Sequence, residues 1–322
     1  MNGRGLAAVF SLFLLASNAH AQEPAPTPEK QAEPVRLRVT FSDEKGRPAE
    51  VRREDVRLLV DGVERPLTLF EREDVPASYG LVVDNSGSLR SLMNYVIASA
   101  LKIVEANRPG DETFVVRFVA REDVRLLSRF TSNKDALARA IEGMYVQGGQ
   151  TALLDAVYFA AEYTEKNAAP DEGGKPRRRA LVLLTDGEDR ESSHKLDDVL
   201  KLLRRARVQV YSVGLVGELD RERGFTRGSK RDKSATLLKR LADETGGRLL
   251  LVDKVQADLL PALESVAADL HTTYFVGYAP PADAKPRGKV EVKVAERKGA
   301  PKLKALVHPP ADAEGADPKK KN

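Results

Sequence analysis

Apolar residues fall along this chain in two rhythms. In residues 35–73, and again after Tyr274, they alternate with polar neighbours. Between residues 79 and 252, short unbroken apolar runs are separated by stretches in which apolar positions recur every three or four residues. The first rhythm is that of strands with one buried face: Val35, Leu37, Val39 and Phe41 share a side. The segment "EDVRLLVDGVERPLTLFER" holds two short strand-like runs about Asp61-Gly62, a hairpin signal. The second rhythm predicts strands at 79–83, 113–119, 124–127, 179–184, 208–214 and 248–252, with helices near 89–106, 134–144, 152–166, 195–206, 234–245 and 255–271. The runs "LVV", "LVLL" and "LLLV" are apolar throughout, as expected of parallel strands covered by helices on both faces. The expectation for 78–271 is therefore an α/β domain with a doubly wound, mostly parallel sheet flanked by helices. "TYFVGYAP", "KVEVKVAE" and "KLKALV" then return to short alternating strands. Neither β flank can bury a core alone, so 35–75 and 272–308 are expected to pack together beside the α/β domain.

The ends of the chain change the picture of where it works. Arg4, the apolar run Leu6 to Ala16 and the small-x-small ending Ala19-His20-Ala21 have the form of a signal peptide over residues 1–21. That run is too short to span a bilayer, and no later stretch reaches the roughly 18–20 apolar residues a spanning helix needs. Residues 22–34, "QEPAPTPEKQAEP", form a proline-rich linker, and 309–322 a disordered basic tail ending in Lys319-Lys320-Lys321. The expected location is secreted or periplasmic. The chain has no cysteine, which excludes disulfide staples and lipid attachment through an N-terminal cysteine. A formal charge of +4 is spread over interleaved acidic and basic residues, so nucleic acid is not an expected partner.

Candidate chemistry begins where the first α/β strand ends. "GLVVDNSGSL" turns from apolar to polar at Asp84, and Ser86 and Ser88 follow at alternate positions. Asp186 ends a second strand in "LVLLTDGEDRES", and Thr151 precedes a helix in "GGQTALLDAV". Ligands of open α/β sheets sit beyond the carboxyl ends of the strands, where these three stretches could meet. Two carboxylates and three hydroxyls are hard oxygen donors that suit Mg²⁺, Ca²⁺ or Mn²⁺ and fit zinc or copper poorly. Two negative charges would balance a divalent ion, and an octahedral shell would still have room for an outside oxygen, such as an incoming carboxylate. Gly87 is expected to allow a tight turn between the serines, and Gly148-Gly149 close approach before Thr151.

Asp-x-Ser-x-Ser after the first strand, threonine in Gly-Gly-x-Thr and the Thr-Asp-Gly strand end together resemble the von Willebrand factor type A family, over about residues 78–271. The resemblance implies a metal-ion-dependent adhesion site with Asp84, Ser86, Ser88, Thr151 and Asp186 as its five ion-binding positions. It implies Mg²⁺ first, with Mn²⁺ or Ca²⁺ as alternatives, and a Glu or Asp of a protein ligand at the sixth position. The export signal and β flanks look like those of secreted bacterial members.

Other residues leave two readings open. Glu188 and Asp189 fit an exposed acidic turn. Asp155, one helical turn after Thr151, could support the site from behind or be an exposed or capping residue. The loop 217–233, with six basic and four acidic residues, is a solvated loop or a flank of the docking surface. His194 is expected to cap the following helix and not to form a dyad with Ser86, since no Gly-x-Ser-x-Gly surrounds that serine. The phosphate loop and the dinucleotide fingerprint are both absent. An enzyme is therefore not expected. The expected function is capture of an acidic protein ligand through a divalent ion. The rival is a structural part of an envelope assembly, in which the β flanks make the contacts and the ion only stabilises the fold.

Overall fold

The computed structural model describes residues 34–308 apart from 45–47, 74, 171–172, 175–176, 218–229, 281–288, 298 and 300. The signal-peptide, linker and basic-tail expectations, and most of the loop 217–233, lie outside the described residues.

A six-stranded sheet forms from β5 (Ala77–Asp84), β6 (Glu112–Phe118), β7 (Val124–Thr131), β8 (Arg178–Thr185), β9 (Val208–Gly214) and β10 (Arg248–Leu251), in the order β10-β9-β8-β5-β6-β7. All neighbours run parallel except β7, which is antiparallel to β6. The six helices are α1 (Met93–Glu105), α2 (Lys134–Glu142), α3 (Leu153–Asn167), α4 (Leu196–Ala206), α5 (Lys230–Asp243) and α6 (Val255–Asp269). Alternate residues of the strands point to opposite faces. Tyr79, Leu81 and Val83 join a core with α1, α2 and α6, while Val82, Leu181 and Leu183 join one with α3, α4 and α5. Every residue of β5 is buried, which is why its sequence carries no amphipathic alternation. β5 lies at the centre, with β6 on one side and β8 on the other. The connections run outward in both directions from this pair, so the crevice at the carboxyl ends of β5 and β8 is the switch point of the sheet.

The flanks build two smaller antiparallel sheets around a shared core. β1 (Val35–Asp43) lies between β13 (Leu303–His308) and β11 (Thr273–Tyr278), and β11 pairs with β4 (Leu69–Glu73). β2 (Val56–Val60) pairs with β12 (Val290–Val294) and β3 (Val63–Arg65). Phe41, Leu58, Tyr274 and Val276 meet in the core between the two sheets. The β2–β3 turn has φ of 51° at Asp61 and 81° at Gly62, the positive pair that a two-residue I′ hairpin requires.

Two expectations need correction. The segment 54–72 holds three strands and not two, because Pro66 cannot donate to a ladder and the chain leaves the hairpin there to pair β4 with β11. β7 runs to Thr131 and not Leu127, since its half-buried edge position, with register shifts against β6, tolerates the polar residues Ser128 and Arg129.

Candidate metal centre

Asp84 is the last residue of β5, and Thr185 the last of its neighbour β8; Val83 is in register with Leu184. The next pair across the ladder is therefore Asp84 and Thr185, and Thr185 Oγ1 donates to Asp84 Oδ2 at 2.6 Å. Asp84 Oδ1 accepts the backbone N–H of Ser86 at 2.9 Å, so the carboxylate is oriented from both sides. Ser86 Oγ lies 2.9 Å from Ser88 Oγ, and Ser88 Oγ donates to Asp186 Oδ2 at 2.7 Å. The other Asp186 oxygen accepts the Glu188 N–H at 3.0 Å. Four of the five candidate residues are thus joined through side-chain oxygens, Asp84 to Ser86 through the serine's backbone.

Thr151 reaches the same edge by another route. Ala152 N–H donates to Val119 O at 2.8 Å, which seats the start of α3 on the end of β6. The Thr151 carbonyl accepts the N–H groups of Arg190 at 2.8 Å and Glu191 at 3.2 Å, in the loop that follows Asp186. Residue 151 therefore bridges from the end of β6 to the loop after β8, across the end of β5 between them. Gly149, with φ of 154°, lies where a Cβ would meet Val119 Cγ1 at 2.7 Å. The close approach expected of the glycine pair falls on Gly149, since a Cβ at Gly148 would meet nothing within 4 Å. Gly87 is a correction. It opens a short 3-10 turn, Gly87–Leu89, without positive φ and with open space around it, so the turn does not need a glycine.

Two carboxylates dominate the electrostatics at the edge. Asp84 and Asp186 are wholly buried, and among the described residues neither has a salt-bridge partner. Burial, and then the charge of Asp186, push the Asp84 carboxyl up to about 7. Asp186 is likewise raised, by burial first and by the charge of Glu188, against the hydrogen bonds from Ser88 and the Glu188 N–H and the charge of Arg190. Two carboxylates held close in a dry crevice repel one another and favour the neutral form. A divalent cation would reverse that preference by supplying the missing positive charge. Among the described residues no three His, Cys, Asp or Glu side chains gather into a metal-binding group. The donors at hand are two carboxylates and hydroxyls, which suit a hard cation. The residues fit the ion.

The residues whose roles were open now have places. Asp155 is buried and accepts the backbone N–H groups of Ser193 and His194, each at 2.9 Å. Its Oδ1 lies 2.7 Å from His194 Nδ1, and these bonds hold its carboxyl below the usual range despite burial. His194 stacks on Tyr158 with ring centroids 3.8 Å apart. The helix cap expected of His194 is therefore wrong: Lys195 is the N-cap of α4, and its side chain does not cap the helix. Asp189 is no simple surface acid, because its Oδ1 accepts from Ser192 Oγ at 2.6 Å and Leu154 N–H at 3.3 Å. Asp155 and Asp189 together fasten the loop after Asp186 onto the start of α3.

Three residues escaped the sequence reading. Thr185 is the threonine of "LLTDG", and its place opposite Asp84 depends on β8 lying beside β5. Asn85 is wholly buried; its Nδ2 donates to Tyr145 O at 2.8 Å, and its own carbonyl accepts from Gln147 N–H at 3.1 Å. Tyr145 stands beside this edge with 61% of its surface exposed. Its only sequence signal was an aromatic in the loop leading to Gly148-Gly149.

A profile of the von Willebrand factor type A domain matches residues 80–265, more than half of the chain. The chain belongs to the von Willebrand factor type A domain family. Curated relatives include the human collagen alpha-6(VI) chain, 28% identical over 155 residues, 45% of this chain and 6% of that one. An uncharacterised protein of Synechocystis is 29% identical over 129 residues, 40% of this chain and 29% of that protein. The matched segment thus spans less than a third of either relative. Among solved structures, a von Willebrand factor type A protein from Catenulispora acidiphila superposes with a TM-score of 0.50 at 13% identity, covering 86% of this chain and 75% of the other. At that identity the likeness is one of fold. Domains of this family serve as interaction modules, and no helix among the described residues of this type A chain is long and apolar enough to cross a membrane.

Proposed function

We propose that this chain is an exported binding protein that captures a carboxylate-bearing protein partner through a divalent cation held by Asp84, Ser86, Ser88, Thr151 and Asp186. One observation carries the reading: two buried aspartates, linked through Ser86 and Ser88 at the switch point of the sheet, have no salt-bridge partner among the described residues. A bound ion, with Mg²⁺ ahead of Mn²⁺ and Ca²⁺, would supply an electrophilic position for an outside oxygen. The chain's own residues do the rest. Asp84 and Asp186 balance the ion's charge, and Thr185 and the Ser86 N–H fix the Asp84 oxygens. The clasp around Asp155 holds the loop that carries Asp186 against the helix that follows Thr151. Export is supported by the leader-like residues 1–21.

Titration of Mg²⁺ or Mn²⁺ by calorimetry into the wild type and Asp84→Ala tests the reading. A saturable heat is expected from the wild type, with none from the variant. Equal heats from both would end it.

A further inference from the structure

Tyr145 is the most exposed large apolar side chain among the described residues, at 61% against 54% for Val63 and 44% for Tyr95. An exposed tyrosine ordinarily gains little by being held still, yet this one is fixed at three points. Its carbonyl accepts from Asn85 Nδ2 at 2.8 Å, and its hydroxyl from Gln147 Nε2 at 3.3 Å. The Arg117 guanidinium lies 5.8 Å from the ring centroid. Arg117 is itself immobilised: Asp123 takes it in a bidentate pair at 3.0 and 3.1 Å, and Gln147 Oε1 accepts from it at 2.7 Å. Its side chain is only 9% exposed, and Asp123 neutralises its charge, so it is poorly placed to pair with an acid from outside. What Arg117 does is brace the ring. Asn85 stands between Asp84 and Ser86, so the loop carrying Tyr145 is bolted directly onto the candidate metal loop.

A rigid aromatic set beside a charged docking point has the properties of an interface anchor: large contact area, and little entropy left to lose. One face of the ring is already occupied by the Arg117 guanidinium, so what the ring offers outward is apolar contact area, which an apolar or aromatic side chain uses best. We infer that Tyr145 is a specificity-determining residue of this surface, selecting partners in which an Asp or Glu lies within two positions of an aromatic or branched aliphatic side chain. That range, about 7 Å of extended chain, is the one assigned to a ring whose loop is bonded to the ion loop through Asn85. The inference rests on the ion-binding reading and adds to it the class of sequence recognised.

The test uses the full chain, Mn²⁺, and an array of synthetic peptides with Asp or Glu at a fixed central position and varied neighbours. Calorimetry of Mn²⁺ alone on the wild type checks the ion-binding reading independently; no heat there sinks that reading and this one with it. With Mn²⁺ bound, the wild type is expected to enrich peptides carrying Phe, Tyr, Trp, Leu or Ile within two positions of the acid. Tyr145→Ala should hold the best of these roughly three- to tenfold more weakly, the worth of one aromatic pair, and lose the preference, while Tyr145→Trp keeps it. An unchanged preference in Tyr145→Ala, or retention of no acidic peptide by the Mn²⁺-loaded wild type, overturns the inference. An ion-free readout checks the bracing: amide hydrogen exchange in residues 144–149 should quicken in Asn85→Ala, and equal exchange would show that the ring is not pre-held.

Discussion

At Gly187 the backbone turns immediately after Asp186 with φ of 80°, and a Cβ there would meet Leu238 Cδ1 and Ser234 Cβ, each at 2.9 Å. Its N–H donates to Thr185 Oγ1 at 3.0 Å, the same oxygen that donates to Asp84. One glycine thus permits the turn, lets α5 approach and helps orient the hydroxyl behind the buried carboxylate. Gly187→Ala is expected to destabilise the protein by about 1–3 kcal/mol, the strain of a side chain at positive φ, with crowding against Leu238 added. Urea denaturation of the two proteins reads the difference. At this scale much was legible. Asp84, Ser86, Ser88 and Asp186 could be named because polar side chains directly after apolar strands have few other reasons to be there. Asn85 could not, because its role depends on the carbonyl of Tyr145, 60 residues away.

Among the elements, the start of α3 controls the loop between β8 and α4. Asp155 gathers the N–H groups of Ser193 and His194 and the imidazole of His194, and Asp189 reaches back to Leu154. Asp155→Ala would leave those backbone donors without their acceptor, which costs about 1–3 kcal/mol. The loop it releases carries the Arg190 and Glu191 N–H groups bonded to Thr151, so Mn²⁺ affinity should fall about 10–100-fold, as for other outer-shell partners. Calorimetry beside thermal melts separates the two effects. A loss of stability with unchanged Mn²⁺ affinity would show that the clasp does not position the site. Periodicity located these elements well, because buried parallel strands and amphipathic helices announce themselves in one dimension. The departure of β4 from the hairpin was less visible, since Pro66 stops one ladder without saying which strand the chain will join next.

In the whole molecule, the β sheets meet the α/β unit across a buried charged junction. Arg178 of β8 bonds to Glu73 of β4 and donates to the Asp269 carbonyl at the end of α6. Glu73 also pairs with Arg38 of β1, and Asp269 with Arg248 of β10 at 2.9 Å. His308, at the end of β13, is buried between Thr40 and the Gly246 carbonyl. Burial and then Arg178 lower its pKa to about 3. Between that value and the ordinary 6.5 the unfolded chain binds a proton that the folded one refuses. Its contribution is therefore full above about pH 6.5 and lost as pH falls toward 3. Burial raises Asp269 to about 6 despite Arg248 and Arg178. Its contribution runs the other way, present at low pH and lost as pH rises through 6. The two offset across much of the acid range, so the clean measurement is a difference. The stability advantage of the wild type over His308→Gln should shrink between pH 7.5 and pH 4.5 in parallel urea titrations; a constant gap would mean that His308 is not held neutral. Arg178→Met, which leaves Glu73 with only the partly exposed Arg38, is expected to cost about 3–5 kcal/mol, as breaking a buried pair does.

The sequence by itself determined the α/β class, the boundaries of most elements, and the residue types of the candidate site. Each of these follows from local rules: side-chain period, turn chemistry, and the cost of placing an oxygen at the end of a buried strand. Only the tertiary structure decided that β6, β5 and β8 lie side by side, so that Thr151 is carried across the end of β5 to the loop after Asp186. It also decided that Asp84 and Asp186 share one buried crevice without a salt-bridge partner among the described residues, and that Tyr145 is braced on the loop bonded to Asn85. Strand order and desolvation arise from contacts between residues tens to hundreds of positions apart, and no local pattern encodes the field that two buried charges make together.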